Sequence, residues 1–136
     1  MEMKKIFIDA TKGSFGRICS YAAKQALENH EIVIVNSEKA VITGDKKQII
    51  VKHRELKQKG GHSQKGPKYI KIAYQILKRG IRGMLPDHRR GQGKLAFSRV
   101  KCYNGVPAEF KDQEMIKIQG PKHNKYITLK ELTEKI

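Results

Sequence analysis

The chain has 136 residues, which suits one domain, with 38% apolar residues and a formal net charge of +16. That charge makes a folded body that repels itself until a polyanion neutralises it. The longest apolar runs fall far short of the ~20 residues that cross a bilayer, and no signal-peptide pattern opens the sequence. A soluble, cytoplasmic protein without membrane contact is therefore expected.

The charge is concentrated. Residues 52–101 carry fifteen Lys and Arg against two acids, Glu55 and Asp87. The remaining residues have nearly balanced charge, as on an ordinary globular surface. One tract therefore points to the partner and the rest to the fold.

Lys-Ile-Phe-Ile-Asp at 5–9 reads as a short buried strand. Ser14 is placed to cap a helix running to about Asn29. At about 100° per residue, Phe15, Ile18, Cys19, Ala22, Ala23, Ala26 and Leu27 share a face. The Asn29-His30 pair ends it. Residues 31–36 form a β-branched apolar run, which suits a parallel strand covered on both faces. Strand, helix and strand make a right-handed βαβ unit. Residues 37–43 read equally as a short helix or a strand edge. Asp45 can cap a helix to about Gln58. Residues 59–67 lack apolar periodicity and read as a loop.

Residues 68–82 read as a two-faced helix. Tyr69, Ile70, Ile72, Ala73, Ile76, Leu77 and Ile81 share one arc, and Lys68, Lys71, Lys78, Arg79 and Arg82 the opposite one. The cationic arc contains no acid, and that favours a phosphate backbone over a merely solvated face. Gly83 to Pro86 stop the helix. Residues 87–94 read as a second basic loop, 99–103 as a further strand ended by Asn104-Gly105, and 106–136 as a compact tail closing with a short helix from about Thr128.

Nothing in the sequence assembles a catalytic set, so no enzyme activity, cofactor or small-molecule substrate is expected. The Gly13-Ser14-Phe15-Gly16 turn lacks the third glycine of a dinucleotide fingerprint, and the second strand ends in Asn36-Ser37 without an acid for a ribose. Arg17 is unusual there, since a cation in the first helical turn opposes the helix dipole. A docked phosphate would remove that conflict. Asp9 reads as a turn residue. His53, His62 and His88 have no metal-ligand spacing. Cys19 and Cys102 form no CxxC pair and are expected to be reduced, mostly buried thiols. Long Gly/Lys/Arg loops beside a charged helix suit folded RNA, which is read by shape and phosphates. A nucleotide-binding α/β enzyme and a regulatory RNA- or DNA-binding module are the alternatives.

Several elements also carry a family resemblance. They are Ile8-Asp9-Ala10, Phe15-Gly16-Arg17 with Ala22-Ala23-Lys24, Val33-Ile34-Val35-Asn36, Ile42-Thr43-Gly44, Gly80-Ile81-Arg82-Gly83-Met84-Leu85-Pro86 and Lys101-Cys102-Tyr103-Asn104-Gly105-Val106-Pro107. In series, over about residues 6–107, they resemble the L-thirteen family of universal large-subunit ribosomal proteins. The Lys65-Gly66-Pro67 approach and the short link after the first helix look like its archaeal and eukaryotic branch. The compact tail leans archaeal.

The resemblance implies an α/β fold: a three-layer sandwich on a mostly parallel four-stranded sheet. It implies large-subunit ribosomal RNA and neighbouring ribosomal proteins as partners, and a part in subunit assembly. Cys19-Ser20 stands where the family usually has Leu-Ala. Lys71-Ile72-Ala73 stands where it commonly has Arg-x-Pro, so no arginine contact or proline-set entry is carried over there. The expected phosphate contacts are Arg17, Lys57, Lys59, His62, Lys65, Lys68, Lys71, Lys78, Arg79, Arg82, His88, Arg89, Arg90, Lys94, Arg99 and Lys101.

Overall fold

The computed structural model describes residues 4–58, 71–121 and 125–136. Strand β1 (Lys5–Asp9) leads through a tight turn into helix α1 (Phe15–Leu27), which returns to strand β2 (Glu31–Val35). The two strands pair in parallel, Lys5 opposite Glu31 through Asp9 opposite Val35. Asn29 ends α1 as expected. It adopts the left-handed conformation at φ 70°, its amide donates to Ala26 O, and the His30 amide donates to Gln25 O. These two bonds satisfy carbonyls that the helix leaves open. Leu27 departs from its expected place and is 39% exposed. On a 3.6-residue period it lies about 110° from the centre of the buried face, too far round to reach the core.

The ambiguous stretch 37–43 resolves into a 3-10 turn, Ser37–Lys39, and strand β3 (Val41–Thr43). Helix α2 (Lys46–Gln58) follows, and Asp45 Oδ1 accepts the Lys47 amide at 2.9 Å, as a capping residue should. The loop read at 59–67 lies outside the described residues.

Helix α3 (Ala73–Gly83) starts later than the pattern suggested. Lys71 and Ile72 are not helical. Ile72 is extended, at φ −132° and ψ 126°, and is 38% exposed instead of lying in the core. The helix nevertheless begins at Ala73 without a proline to set it. Ala73, Ile76, Leu77 and Ile81 are buried, as expected. Helix α4 (Gly91–Ser98) corrects the reading of 87–94 as a loop. Gly91 to Lys94 are its first turn, because Gly93 packs its backbone directly onto the Pro86–Asp87 turn.

Strand β4 (Val100–Cys102) pairs in parallel with β2. A 3-10 turn, Ala108–Phe110, precedes strand β5 (Ile116–Lys117), which pairs in parallel with the other edge of β1. The sheet order is β4-β2-β1-β5. Strand β6 (Tyr126–Thr128) pairs antiparallel with β3 and leads into helix α5 (Leu129–Lys135). Thr128 Oγ1 accepts the Glu131 amide at 3.2 Å, closing that helix start.

The architecture is the expected α/β sandwich on a parallel four-stranded sheet. One sheet face presents Ile8, Ile32, Ile34, Val100 and Cys102 to the helices, and joins Ile18, Leu77, Ile81, Leu129 and Leu132 in one core. The opposite face presents Phe7, Val33 and Val35, covered by Phe110 with Tyr103, Val106 and Met115. The Phe7 and Phe110 ring centroids are 5.2 Å apart. Burial on both faces explains why β2 is apolar from Ile32 to Val35.

Cys19 and Cys102 are free and buried in the same core. Burial pushes both thiols up to about 12, Cys19 with a further contribution from Cys102 and Cys102 with a partial offset from Lys78. A thiol reagent at pH 8 should therefore label neither in the native chain and both in denaturant; fast native labelling would contradict their burial.

Gly93→Ala should lower stability by about 1–3 kcal/mol in urea unfolding, despite the helix propensity gained. Its Cβ would run into the carbonyl oxygens of Pro86 and Asp87, which are backbone and cannot swing away. An unchanged midpoint would show that the α3–α4 turn relaxes.

Candidate nucleic-acid interface

Helix α3 builds the main cationic surface. Gly80 lets it lie close to α1, since a Cβ there would come 2.7 Å from Phe15 Cζ and 3.0 Å from Cys19 Sγ. With Ile76, Leu77 and Ile81 turned into the core, the opposite arc of about 100° carries Lys78, Arg79 and Arg82. Lys78 Nζ sits 5.1 Å from the centroid of the Phe97 ring on α4, and the His88 ring meets Phe97 edge-on at 6.2 Å. Lys78 and His88 are thus held in place by packing, half-buried beside the exposed Arg79.

The turn into α4 adds Arg89, Arg90 and Lys94, all exposed. Asp87 is the only acid between 71 and 101, and its charge is used locally. Its Oδ1 accepts the Arg89 amide at 3.0 Å and its Oδ2 accepts Arg90 Nε at 3.1 Å. These bonds, the Arg89 amide first, hold its carboxyl below the usual range. The result is a helix–turn–helix surface with its single acid already paired.

Helices α1, α3 and α4 all start without a side-chain cap and without an acid in the first turn. Ser14 occupies the cap position of α1, but its side chain makes no cap hydrogen bond. The first amides of a helix have no partner within it and carry partial positive charge. Cations beside such ends, Arg17 at α1, Lys71 before α3, Arg90 and Lys94 at α4, raise the local potential further. Each start thus leaves donor amides beside a cation, a combination that can receive an anion.

The expected contact residues do not form one patch. Lys71, Lys78, Arg79, Arg82, His88, Arg89, Arg90 and Lys94 lie along α3, its approach, the α3–α4 turn and the first turn of α4. Arg17 stands apart, with Nη1 3.4 Å from Gln119 Oε1 in the turn after β5. Arg99 Nη1 donates to Ala26 O at 3.0 Å, at the far end of α1, about 14 Å along that helix from Arg17. Its guanidinium closes a helix C-terminus. Lys101 is exposed on the edge strand β4 and points to the second sheet face, in register with Val33. Lys59, His62, Lys65 and Lys68 lie outside the described residues, as does the side chain of Lys57. Lys12, in the turn after β1 at φ 58°, escaped the sequence reading; its place beside Gly13 was the available signal.

Asp9 is a turn residue, as expected. Its Oδ1 accepts the Thr11 amide at 3.0 Å, the Thr11 hydroxyl at 2.7 Å and Asn36 Nδ2 at 3.1 Å. Burial raises its pKa, but these bonds and Lys117 outweigh it and leave the carboxyl below its ordinary 3.8. Among the described residues, no group of three or more His, Cys, Asp or Glu is arranged to hold a metal. No helix among them is long and apolar enough to cross a membrane.

The sequence matches the model of the family described as Ribosomal protein L13 over residues 3–109. The chain belongs to that family. It is 44% identical to the large ribosomal subunit protein uL13 of Methanosarcina barkeri over 135 residues, covering 95% of each chain. It is 41% identical to that of Thermoplasma volcanium over 132 residues, covering 95% of this chain and 96% of the relative. For Archaeoglobus fulgidus the identity is 39%, over 93% of this chain and 83% of the relative. At these coverages the similarity runs past residue 109, where the family match ends.

The depressed Asp9 carboxyl sets a sign for acid sensitivity. Its charged form stabilises the fold above its ordinary pKa, and that contribution is lost as pH falls through the lower folded value. Asp9→Asn should melt below wild type at pH 7, with the gap closing below pH 3.8. A gap of constant size down to pH 2 would show that the hydrogen bonds, and not the charge, matter there.

Proposed function

We propose that the chain is a single-domain structural constituent of the large ribosomal subunit that binds ribosomal RNA and supports subunit assembly, without catalysis of its own. Its partners are large-subunit rRNA and neighbouring ribosomal proteins, and its location is the cytoplasmic ribosome. The observation that carries this reading is the α3–α4 surface. There Arg79, Arg89 and Lys94 are exposed and Lys78 and Arg82 half-buried, with an uncapped start at α4 and Asp87 already paired. Family membership and the relatives, which are large ribosomal subunit proteins, support the same reading.

A polyanion with regularly spaced phosphates fits this surface better than any small ligand. Cations on a rigid helix pair read backbone spacing, and they read it with a salt dependence that reports the number of contacts. Aromatic residues make up 7% of the chain, which limits base stacking to isolated positions.

Filter binding to a large-subunit rRNA fragment across a salt series tests the assignment. Arg82→Ala, Arg89→Ala and Lys94→Ala should each weaken binding and reduce the slope of log affinity against log salt by roughly 0.7–0.9. Their thermal stability should stay within about 1 kcal/mol of wild type, because Arg89 and Lys94 are exposed and Arg82 lies on the arc opposite the core residues of α3. Early melting with wild-type slopes would make this arc structural and the assignment wrong.

A further inference from the structure

A second surface lies outside the α3–α4 arc, beyond the carboxyl ends of the parallel strands. Strand β1 is flanked by β2, reached through α1, and on its other side by β5. The strand order therefore reverses beside β1. Open α/β sheets bind ligands in the crevice outside such a reversal. Here that crevice is a cavity of about 410 Å³ lined by Lys12, Val41, Gln119, Gly120, Pro121 and Tyr126. Its size falls in the usual range for a pocket that takes a small organic group.

The walls are tightly built. A Cβ on Gly120 would run into the carbonyl oxygen of Lys12, so the turn after β5 presses directly on the turn after β1. The Ser14 amide donates to Gln119 O at 3.4 Å, and Arg17 Nη1 reaches Gln119 Oε1. The Lys12 amide donates to Lys39 O at 3.1 Å. Tyr126, on β6 opposite Thr43, stays 42% exposed at the pocket. An aromatic face left open beside apolar Val41 and Pro121 is a stacking surface. Among the described lining residues Lys12 is the charged one and none is an acid, and Arg17 reaches the wall through Gln119. The pocket thus joins one aromatic face to a cationic edge at Lys12 and Arg17.

We propose that this pocket receives a single unstacked nucleotide of RNA, its base against Tyr126 and its phosphate toward Lys12 and Arg17. The proposal rests on the RNA-binding reading above and adds a base-contacting point to a surface that otherwise meets phosphates. It also gives Arg17 a task separate from the α3 arc. Single-stranded or looped RNA supplies such nucleotides, because unpaired bases can leave the stack and settle on an aromatic side chain.

The chain contains no tryptophan, so Tyr126→Trp introduces a single reporter at the pocket. With the full chain and a large-subunit rRNA fragment, Tyr126→Trp should bind as wild type, and its emission should be quenched at saturation. Tyr126→Leu should bind roughly ten- to a hundred-fold more weakly with an unchanged salt slope, since stacking carries no charge. Both variants should melt near wild type, given the exposure of the side chain. Unquenched emission together with wild-type affinity of Tyr126→Leu overturns the pocket assignment, while Arg82→Ala and Lys94→Ala judge the RNA reading independently. Adenosine or uridine monophosphate alone should leave the tryptophan emission unchanged at micromolar concentration. Quenching by the free nucleotide equal to that by RNA would make this a mononucleotide site and overturn the proposal.

Discussion

At Gly80 the backbone of α3 approaches α1 so closely that the ring of Phe15 and the sulfur of Cys19 fill the space a side chain would take. This contact sets the rotation of α3 about its axis. With that rotation set, Ile76, Leu77 and Ile81 enter the core and Lys78, Arg79 and Arg82 must face outward. The α4 start then follows from a second close approach, Gly93 on the Pro86–Asp87 turn. Two glycines without room for a Cβ thus orient the entire α3–α4 surface. The same packing closes the core over β4 and buries Cys102 beside Cys19.

Electrostatics is managed by omission as much as by placement. Three helices begin with neither cap nor acid, although α5 shows that this chain builds a Thr128–Glu131 cap where it needs one. Leaving those amides open lowers the stability of the isolated protein, since capping side chains stabilise a helix by about 1 kcal/mol. Cations placed beside the same ends lower it further. An anion at those ends would offset both costs. Asp9 in its turn and Asp87 with Arg90 spend their charge on local hydrogen bonds and do not screen the cationic surface.

Cations with structural tasks separate from those left available. Arg99 closes the C-terminus of α1 through Ala26 O, and Lys5 Nζ lies 5.3 Å from the Phe110 ring on the second sheet face. Composition cannot make this distinction, because Arg99 belongs to the same basic tract as Arg89 and Lys94. Only the path of the chain around α1 brings residue 99 against residue 26. Arg17 was separable in principle, as a cation in a first helical turn, but its neighbour Gln119 is 102 positions away in sequence.

Local periodicity determined β1, α1, β2, the start of α2 at Asp45 and the final helix from Thr128, because each is stabilised by residues only a few positions apart. It also determined the two faces of α3, since a helix interior repeats every 3.6 residues whatever surrounds it. The tertiary structure decided the ends and the pairings. Ile72 reads as core, yet an extended N-cap leaves it exposed. Gly91 to Lys94 read as loop by composition, yet the Gly93 contact makes them helical. The tail read as a compact stretch of mixed charge with a closing helix and no strand, yet β5 extends the parallel sheet and Ile127, Leu129 and Leu132 are completely buried. Those residues gain their stability from partners far along the chain, and no local pattern encodes a partner that only folding brings near.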